Sequence, residues 1–207
     1  MILSILFGLL FVTLLIGLPL PFSIGVSSLA AIVAMDIPLT IVPQRLVAGM
    51  DSFAFLAIPF FLLVGEVMNA GGLTTRIIKF ANAIVGHMRG GLAQITVVAS
   101  MFFGGISGSA TADLSAIGSI LIPSMKREGY DPEFAVAVTS CAATCGPIIP
   151  PSITMIIYGI LANVSITQLF LGGYVPGFMM GFSFMGVVYF IARRRNYPLY
   201  ERSSLRK

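Results

Sequence analysis

Two short stretches of this sequence carry residue types that can replace the water around a small cation. The first is Gly104-Gly105-Ile106-Ser107-Gly108-Ser109-Ala110-Thr111-Ala112-Asp113, and the second is Gly146-Pro147-Ile148-Ile149-Pro150-Pro151-Ser152. Ser107, Ser109, Thr111 and Ser152 offer hydroxyl oxygens, and Gly105, Gly108, Gly146 and Ile149 offer backbone carbonyls that no bulky neighbour need cover. Pro147, Pro150 and Pro151 lack amide hydrogens and clash with the preceding helical turn, so a helix that meets them must open. Opened carbonyls and hydroxyls can coordinate sodium, and Ser107, Ser109, Gly146 and Ile149 are the expected ligands. The half-helix N-termini beside them can present amides to an anion. Asp113 has two readings: it counters the charge of an ion, or it caps the helix that begins at Leu114.

Plainer explanations exist for the same residues. Gly104 and Gly108 have the small-xxx-small spacing that lets two helices pack closely, but packing alone does not call for Ser107, Ser109, Thr111 and Asp113 around them. The proline cluster can be a simple kink. Glu66 is either a snorkelling carboxylate near the end of an apolar helix or a proton relay. His87, the single histidine, reads as a solvated loop residue. Gly105-Ile106-Ser107-Gly108 also matches the G-x-S-G pattern of intramembrane serine proteases. A hydroxyl nucleophile needs a base within reach, however, and no histidine follows Ser107. An aspartyl mechanism needs two facing carboxylates, and Asp113 has only Glu66 as a companion. No enzymatic activity is expected.

The elements that position these residues follow from composition. Hydrophobic residues make up 57% and charged residues 10% of 207 residues, against about 25% charge in an ordinary soluble domain. So few charges cannot build a water-facing surface. An all-α, polytopic membrane protein is expected. No charge occurs before Asp36, and Gly17-Leu18-Pro19-Leu20-Pro21 breaks that run into helices at about 3–18 and 22–35. A polar connection over 36–52 follows, and 53–70 crosses inward. The mixed segment 71–91 suits an amphipathic helix at the interface. Apolar pieces 92–103 and 114–125 would each reach only ~18 Å, too short to cross a ~30 Å core. Basic residues flank both outer ends, so the two pieces read as a re-entrant helical hairpin whose tip is 104–113. Residues 134–145 and 153–161 read as one spanning helix broken at 146–152. A last span covers 169–192.

Eleven of the twelve basic residues fall in loops or the tail and assign those parts to the cytoplasm, with Arg45 the exception. The net charge of +4 is thus explained by membrane orientation, and no nucleic-acid partner is expected. Cys141 and Cys145 lie one helical turn apart and imply neither a bridge nor a metal framework. The organisation divides into scaffold-type helices (1–70), an interfacial segment (71–91), the hairpin (92–126), the broken helix (127–165), a last span (166–192) and a cytoplasmic tail or linker (193–207). No period of 20 to 50 residues repeats, so any symmetry partner lies outside the chain.

At its two motifs the chain resembles the large membrane subunit of tripartite ATP-independent periplasmic (TRAP) transporters, the DctM-like permeases. The resemblance extends to Gly17-Leu18-Pro19, Ile58-Pro59-Phe60-Phe61, Gly65-Glu66, Gly71-Gly72-Leu73 and Gly90-Gly91-Leu92-Ala93. It implies a multi-pass protein of a bacterial or archaeal cytoplasmic (inner) membrane. It further implies symport of a C4-dicarboxylate or a sialic-acid-like carboxylate, with sodium as the coupling ion and no other cofactor. Transport would proceed by an elevator-like movement of a transport domain past a scaffold. The implied partners are a small DctQ-like membrane subunit, a DctP-like periplasmic binding protein and the lipid bilayer. The absence of a G-x-x-x-x-G-K-[ST] phosphate loop agrees with transport that uses no ATP. Large subunits of this kind are roughly twice as long, with a second, inverted hairpin and broken helix. A missing C-terminal repeat is therefore expected to complete the site.

Overall fold

The computed structural model describes residues 2–51 and 56–197, and among these every regular element is helical. The chain separates into two compact units, Met1–Ser52 and Phe53–Lys207. In the first unit, α1 (Ile2–Leu15) packs against α2 (Leu20–Ala34), and α3 spans Ile41–Met50. The break between α1 and α2 falls where the sequence places it. Gly17 has a φ of 91°, and Pro19 stands at the N-cap of α2 with a further proline in its first turn. Ser23, Ser27 and Ala31 form a buried small-residue stripe, the kind of surface that lets apolar helices approach closely. Ser27 donates to Ile24 O at 3.0 Å and Thr13 to Leu9 O at 2.8 Å. These hydroxyls satisfy themselves within their own helices, as a medium without water requires. The connection expected over 36–52 is a correction: it contains α3, because Val42, Leu46 and Val47 recur at helical spacing beside Gln44 and Arg45. Of the crossing read at 53–70, residues 53–55 lie outside the described residues.

The second unit contains α4 (Ala57–Ala70), α5 (Leu73–Val85), α6 (Gly91–Ser107), α7 (Ala110–Arg127), α8 (Pro132–Ala143), α9 (Ile153–Ala162) and α10 (Ile166–Arg194). Its core is built on α6, which packs against α5, α7, α8 and α10. Gly72, with a φ of 76°, turns the chain sharply, so that α4 and α5 meet at 71°. α5 is amphipathic, and its apolar face is turned toward protein. Thr74, Ile77, Ala81 and Val85 are buried, with α6 beside them. That face has a continuous apolar neighbour within the same unit, which is why it docks there.

The hairpin arms are longer than the sequence suggests. α6 has 17 residues and α7 has 18, or about 26 Å each as ideal helices. Tyr130, just past α7, lies beside the backbone of Leu92 at the start of α6, so the chain does double back. Residues 104–107 are helical, and only Gly108 and Ser109 leave the helix. Glycine permits unwinding without imposing it, and at 104–105 it serves close approach instead.

α8 and α9 flank a nine-residue non-helical passage at 144–152, as the three prolines dictate. α10 has 29 residues and is the one described helix that alone is long and apolar enough to cross a membrane. Its outward side carries Leu171, Val175, Met179 and Phe190, which are 65–73% exposed, while Gly173, Gly177 and Gly181 face inward. Large apolar groups outside and glycines inside reverse the pattern of a soluble helix.

The end of α10 is fastened. Tyr197 is buried and stacks with Tyr130 at 4.4 Å and with Phe134 at 5.4 Å. The Tyr197 hydroxyl donates to Asp131 Oδ2 at 2.8 Å, and the Arg195 guanidinium pairs with the same carboxylate. The tail read as beginning at 193 is thus held against the turn between α7 and α8 as far as Tyr197, and 198–207 lie outside the described residues. The Tyr197 hydroxyl first, and Arg195 after it, hold the Asp131 carboxyl below the usual carboxylate range. Burial pushes the Tyr130 phenol up to about 12. His87 is half-buried, with Nδ1 shut away from solvent and unpartnered among the described residues, which corrects its reading as a solvated loop residue.

Candidate ion and substrate site

The hairpin tip is built by three local devices. α6 stops because Gly108 adopts the left-handed conformation, at φ 59°, and its amide closes onto Gly104 O at 2.8 Å. Ser109 is extended, and its Oγ accepts from the Ala112 amide at 3.4 Å, which makes it the N-cap of α7. The Ser109 hydroxyl also pairs with that of Thr111 at 3.0 Å. Ser107 Oγ lies 3.4 Å from both the amide and the carbonyl of Ser109.

The broken helix repeats the cap. Ser152 Oγ accepts from the Met155 amide at 3.2 Å and donates to Pro147 O at 2.6 Å, so one side chain both starts α9 and ties the break across itself. Before it, the amides of Ile148 and Ile149 both turn back onto Cys145 O, at 3.1 and 2.8 Å. The Pro150–Pro151 bond is cis. No hydrogen bond among the described residues reaches the carbonyls of Gly146, Ile148, Ile149, Pro150 or Pro151. Most buried carbonyls in proteins are paired, so this run is a concentrated set of free acceptors.

The two openings face one another at backbone distance. A Cβ placed on Gly104 would stand 2.5 Å from Gly146 Cα, and one on Gly108 would stand 2.9 Å from Ile153 N and 3.0 Å from Pro151 O. A Cβ on Gly105 would lie 3.4 Å from Pro150 O and 3.5 Å from Ile149 Cγ2. Around this contact, Gly108, Ser109, Thr111, Pro147, Ile153 and Thr154 line a hollow of about 340 Å³, so the first turns of α7 and α9 open into the same space. Both are helix N-termini, with amides that favour negative charge. The structure therefore brings together Gly105, Gly108, Ser109 and Thr111 with Gly146, Pro147, Ile149, Pro150, Pro151 and Ser152. Ser107 is buried behind the tip.

Asp113 does not cap α7, because Ser109 holds that position. It is fully buried, faces Ser100 of α6, and its carboxylate oxygens have no hydrogen-bond partner among the described residues. No three His, Cys, Asp or Glu side chains converge among the described residues. A cation here would be held chiefly by carbonyl and hydroxyl oxygens, the donor set suited to a hard ion.

Several residues escape a reading by motif. Asn69 of α4 lines a larger cavity of about 520 Å³ beside Glu66, which the sequence does single out, together with Ser107, Ser109, Thr111 and Ser115. The Asn69 carboxamide oxygen accepts from Thr74 at 2.6 Å, which turns its amino group away. The spacing of Thr111, Ser115 and Ser119 places them on one face of α7, a signal the sequence does contain. Gly173 and Gly177 of α10 also touch the break and are likewise announced only by their spacing of four.

Residues 7–207 match the family described as the tripartite ATP-independent periplasmic transporter, DctM component. Among similar proteins, the C4-dicarboxylate TRAP transporter large permease protein DctM of Vibrio cholerae is 44% identical over 94% of this chain and 44% of its own length. The sialic acid TRAP transporter large permease protein SiaM of the same organism is 38% identical over 92% of this chain and 45% of its own. An uncharacterised protein of Salmonella typhimurium, YgiK, is 40% identical over 98% of this chain and 48% of its own. The chain thus spans about half the length of the curated relatives it matches. A helical, polytopic membrane fold with two backbone openings held face to face, and a match that runs through both of them, together show that this chain belongs to the DctM family of TRAP transporter permeases.

Proposed function

We propose that this chain is the first half of the large membrane subunit of a sodium-coupled secondary transporter that imports a carboxylate across a cytoplasmic membrane. The observation that carries this reading is the meeting of the hairpin tip with the proline break. Free carbonyls of Gly146, Ile149, Pro150 and Pro151 and hydroxyls of Ser107 and Ser109 supply the coordination that sodium loses with its water. The N-termini of α7 and α9 supply amides for the carboxylate. Asp113 places a buried carboxyl behind the tip.

In this reading α6 and α7 form a re-entrant hairpin, and α8 and α9 form one interrupted crossing. A second half, a small DctQ-like subunit and a DctP-like periplasmic binding protein complete the transporter. The names of the relatives favour a small organic anion, with C4-dicarboxylates, sialic acid and 2,3-diketo-L-gulonate as carboxylates and isethionate as a sulfonate. No catalytic step is proposed: Ser107 bonds to the Ser109 backbone rather than to a base.

The test is uptake into proteoliposomes by the complete transporter with its binding protein, driven by an inward sodium gradient. Replacing Ser107, Ser109 and Ser152 together by alanine should abolish the sodium dependence. Uptake that keeps the same sodium dependence in this variant would refute the assignment of the site.

A further inference from the structure

α10 runs directly behind the proline break, and its inward glycines form two notches there. A Cβ on Gly173 would sit 2.6 Å from the carbonyl oxygen of Ile148, and one on Gly177 would sit 2.6 Å from Ile149 Cγ1. Both glycines are buried. Their neighbour Gly172, on the outer face, would meet nothing within 4 Å. The first notch therefore holds a backbone carbonyl together with the Met155 methyl, which a Cβ on Gly173 would meet at 2.5 Å, and the second holds the Ile149 side chain.

Those two contacts decide where the following carbonyls point. The Ile149 amide is already committed to Cys145 O at 2.8 Å, so the Ile148–Ile149 peptide is held by its amide on one side and by α10 on the other. Beyond it the chain has no amide to anchor, because residues 150 and 151 are both proline. The carbonyls of Pro150 and Pro151 approach the hairpin at Gly105 and Gly108, and no hydrogen bond among the described residues fixes them. They are held between the hairpin on one side and the two notches on the other, with the Ser152 bond to Pro147 O closing the break.

We propose that Gly173 and Gly177 are positioning residues for a monovalent-cation site, pressing the break against the hairpin tip so that its free carbonyls present at the right distance. The inference rests on reading the break as a cation site, and it adds residues on a helix that supplies no ligand itself.

The experiment measures uptake by the complete transporter over a range of sodium concentrations, separating the half-saturating concentration from the maximal rate. Gly173→Ala and Gly177→Ala should each raise half-saturation about tenfold, which corresponds to ~1.4 kcal/mol of lost binding, and saturating sodium should restore most of the rate. Gly172→Ala should change nothing. Because the obstruction at Gly177 is a removable side chain, Ile149→Ala in the Gly177→Ala background should restore sodium affinity. Met155→Ala should fail to rescue Gly173→Ala, since the obstruction there includes a backbone carbonyl. If Gly173→Ala does not fold, the Gly177 pair decides the matter alone.

Glycine variants that leave half-saturation unchanged, or that lower the rate equally at every sodium concentration, overturn the proposal. Ser107→Ala and Ser109→Ala in the same assay separate the two levels. If they shift half-saturation while the glycine variants do not, the positioning role fails and the site stands. If none shifts it, the site itself is refuted.

Discussion

Gly104→Ala probes the contact on which the site depends. Gly104 lies inside α6, and the added methyl would stand 2.5 Å from Gly146 Cα and 3.0 Å from Gly146 N. Carbon atoms rest at about 3.5–4.0 Å, so the hairpin and the break must separate by roughly 1 Å. Both obstructing atoms are backbone, and no rotamer change relieves them. Overpacking of this sort costs about 1–3 kcal/mol. Alanine in place of a helical glycine returns ~1 kcal/mol of propensity, so the expected net loss is about 1 kcal/mol, or ~2–4 °C in melting temperature for a chain of this size.

Gly105→Ala is the control one residue away. Its nearest neighbours would be at 3.4 and 3.5 Å, close enough to touch but not to force the segments apart, so the propensity gain should leave it neutral or slightly stabilised. The assay pairs thermal unfolding of purified protein in detergent, followed by helical circular dichroism, with sodium-driven uptake by the complete transporter. Gly104→Ala should melt lower than Gly105→Ala and require more sodium. If Gly104→Ala melts higher than the parent and transports with unchanged sodium dependence, the two openings do not meet as described and the reasoning fails.

Other consequences can be tested in the same way. Ser152→Ala removes both the α9 cap and the bond to Pro147 O and should cost roughly 0.5–2 kcal/mol in thermal unfolding, whereas Ser165→Ala, at an exposed cap contact, should cost less. The Asp131 carboxyl is held below its ordinary range by Tyr197 and then Arg195. Its contribution is therefore full above the unfolded value of ~4 and is lost as pH falls through the lower folded value. Hydrogen exchange at 193–197, corrected for intrinsic rate, should be steady from neutral pH to about 5 and accelerate below ~4, and Asp131→Asn should remove that dependence.

The parts of the fold announced by chemistry that cannot be ignored were readable in the sequence. Pro147, Pro150 and Pro151 remove donors and must open a helix, and Gly17 with Pro19 must end one, so those breaks are where the residues place them. The extent of the hairpin tip was less legible because glycine has two uses that look alike in a sequence. Gly108 turns the chain through a positive φ, while Gly104 stays helical and lets another backbone approach. Asp113 could be read as the cap of a helix beginning at Leu114 because aspartate caps well, and only geometry shows α7 starting earlier, with Ser109 at its cap and Asp113 buried against Ser100. Asn69 and the inward glycines of α10 were less legible, because Asn69 meets the hairpin residues only across the cavity it lines and the glycines, marked by nothing but their spacing, owe their role to a break on another element.

The hollow at residues 108–111 and 147–154 is walled by the amide ends of two helices, whereas Ile149 and Pro150, whose carbonyls are bare, line with Gly105 a separate cavity of about 400 Å³. A lone anion would satisfy the first and leave the second in want of positive charge, while a lone cation would do the reverse. The two neighbouring spaces are therefore best filled together by a neutral pair, each member of which lowers the electrostatic penalty for admitting the other. In a low-dielectric surrounding that mutual dependence is steep, so the coupling proposed above would follow from the polarity of the walls themselves, before any moving part is considered.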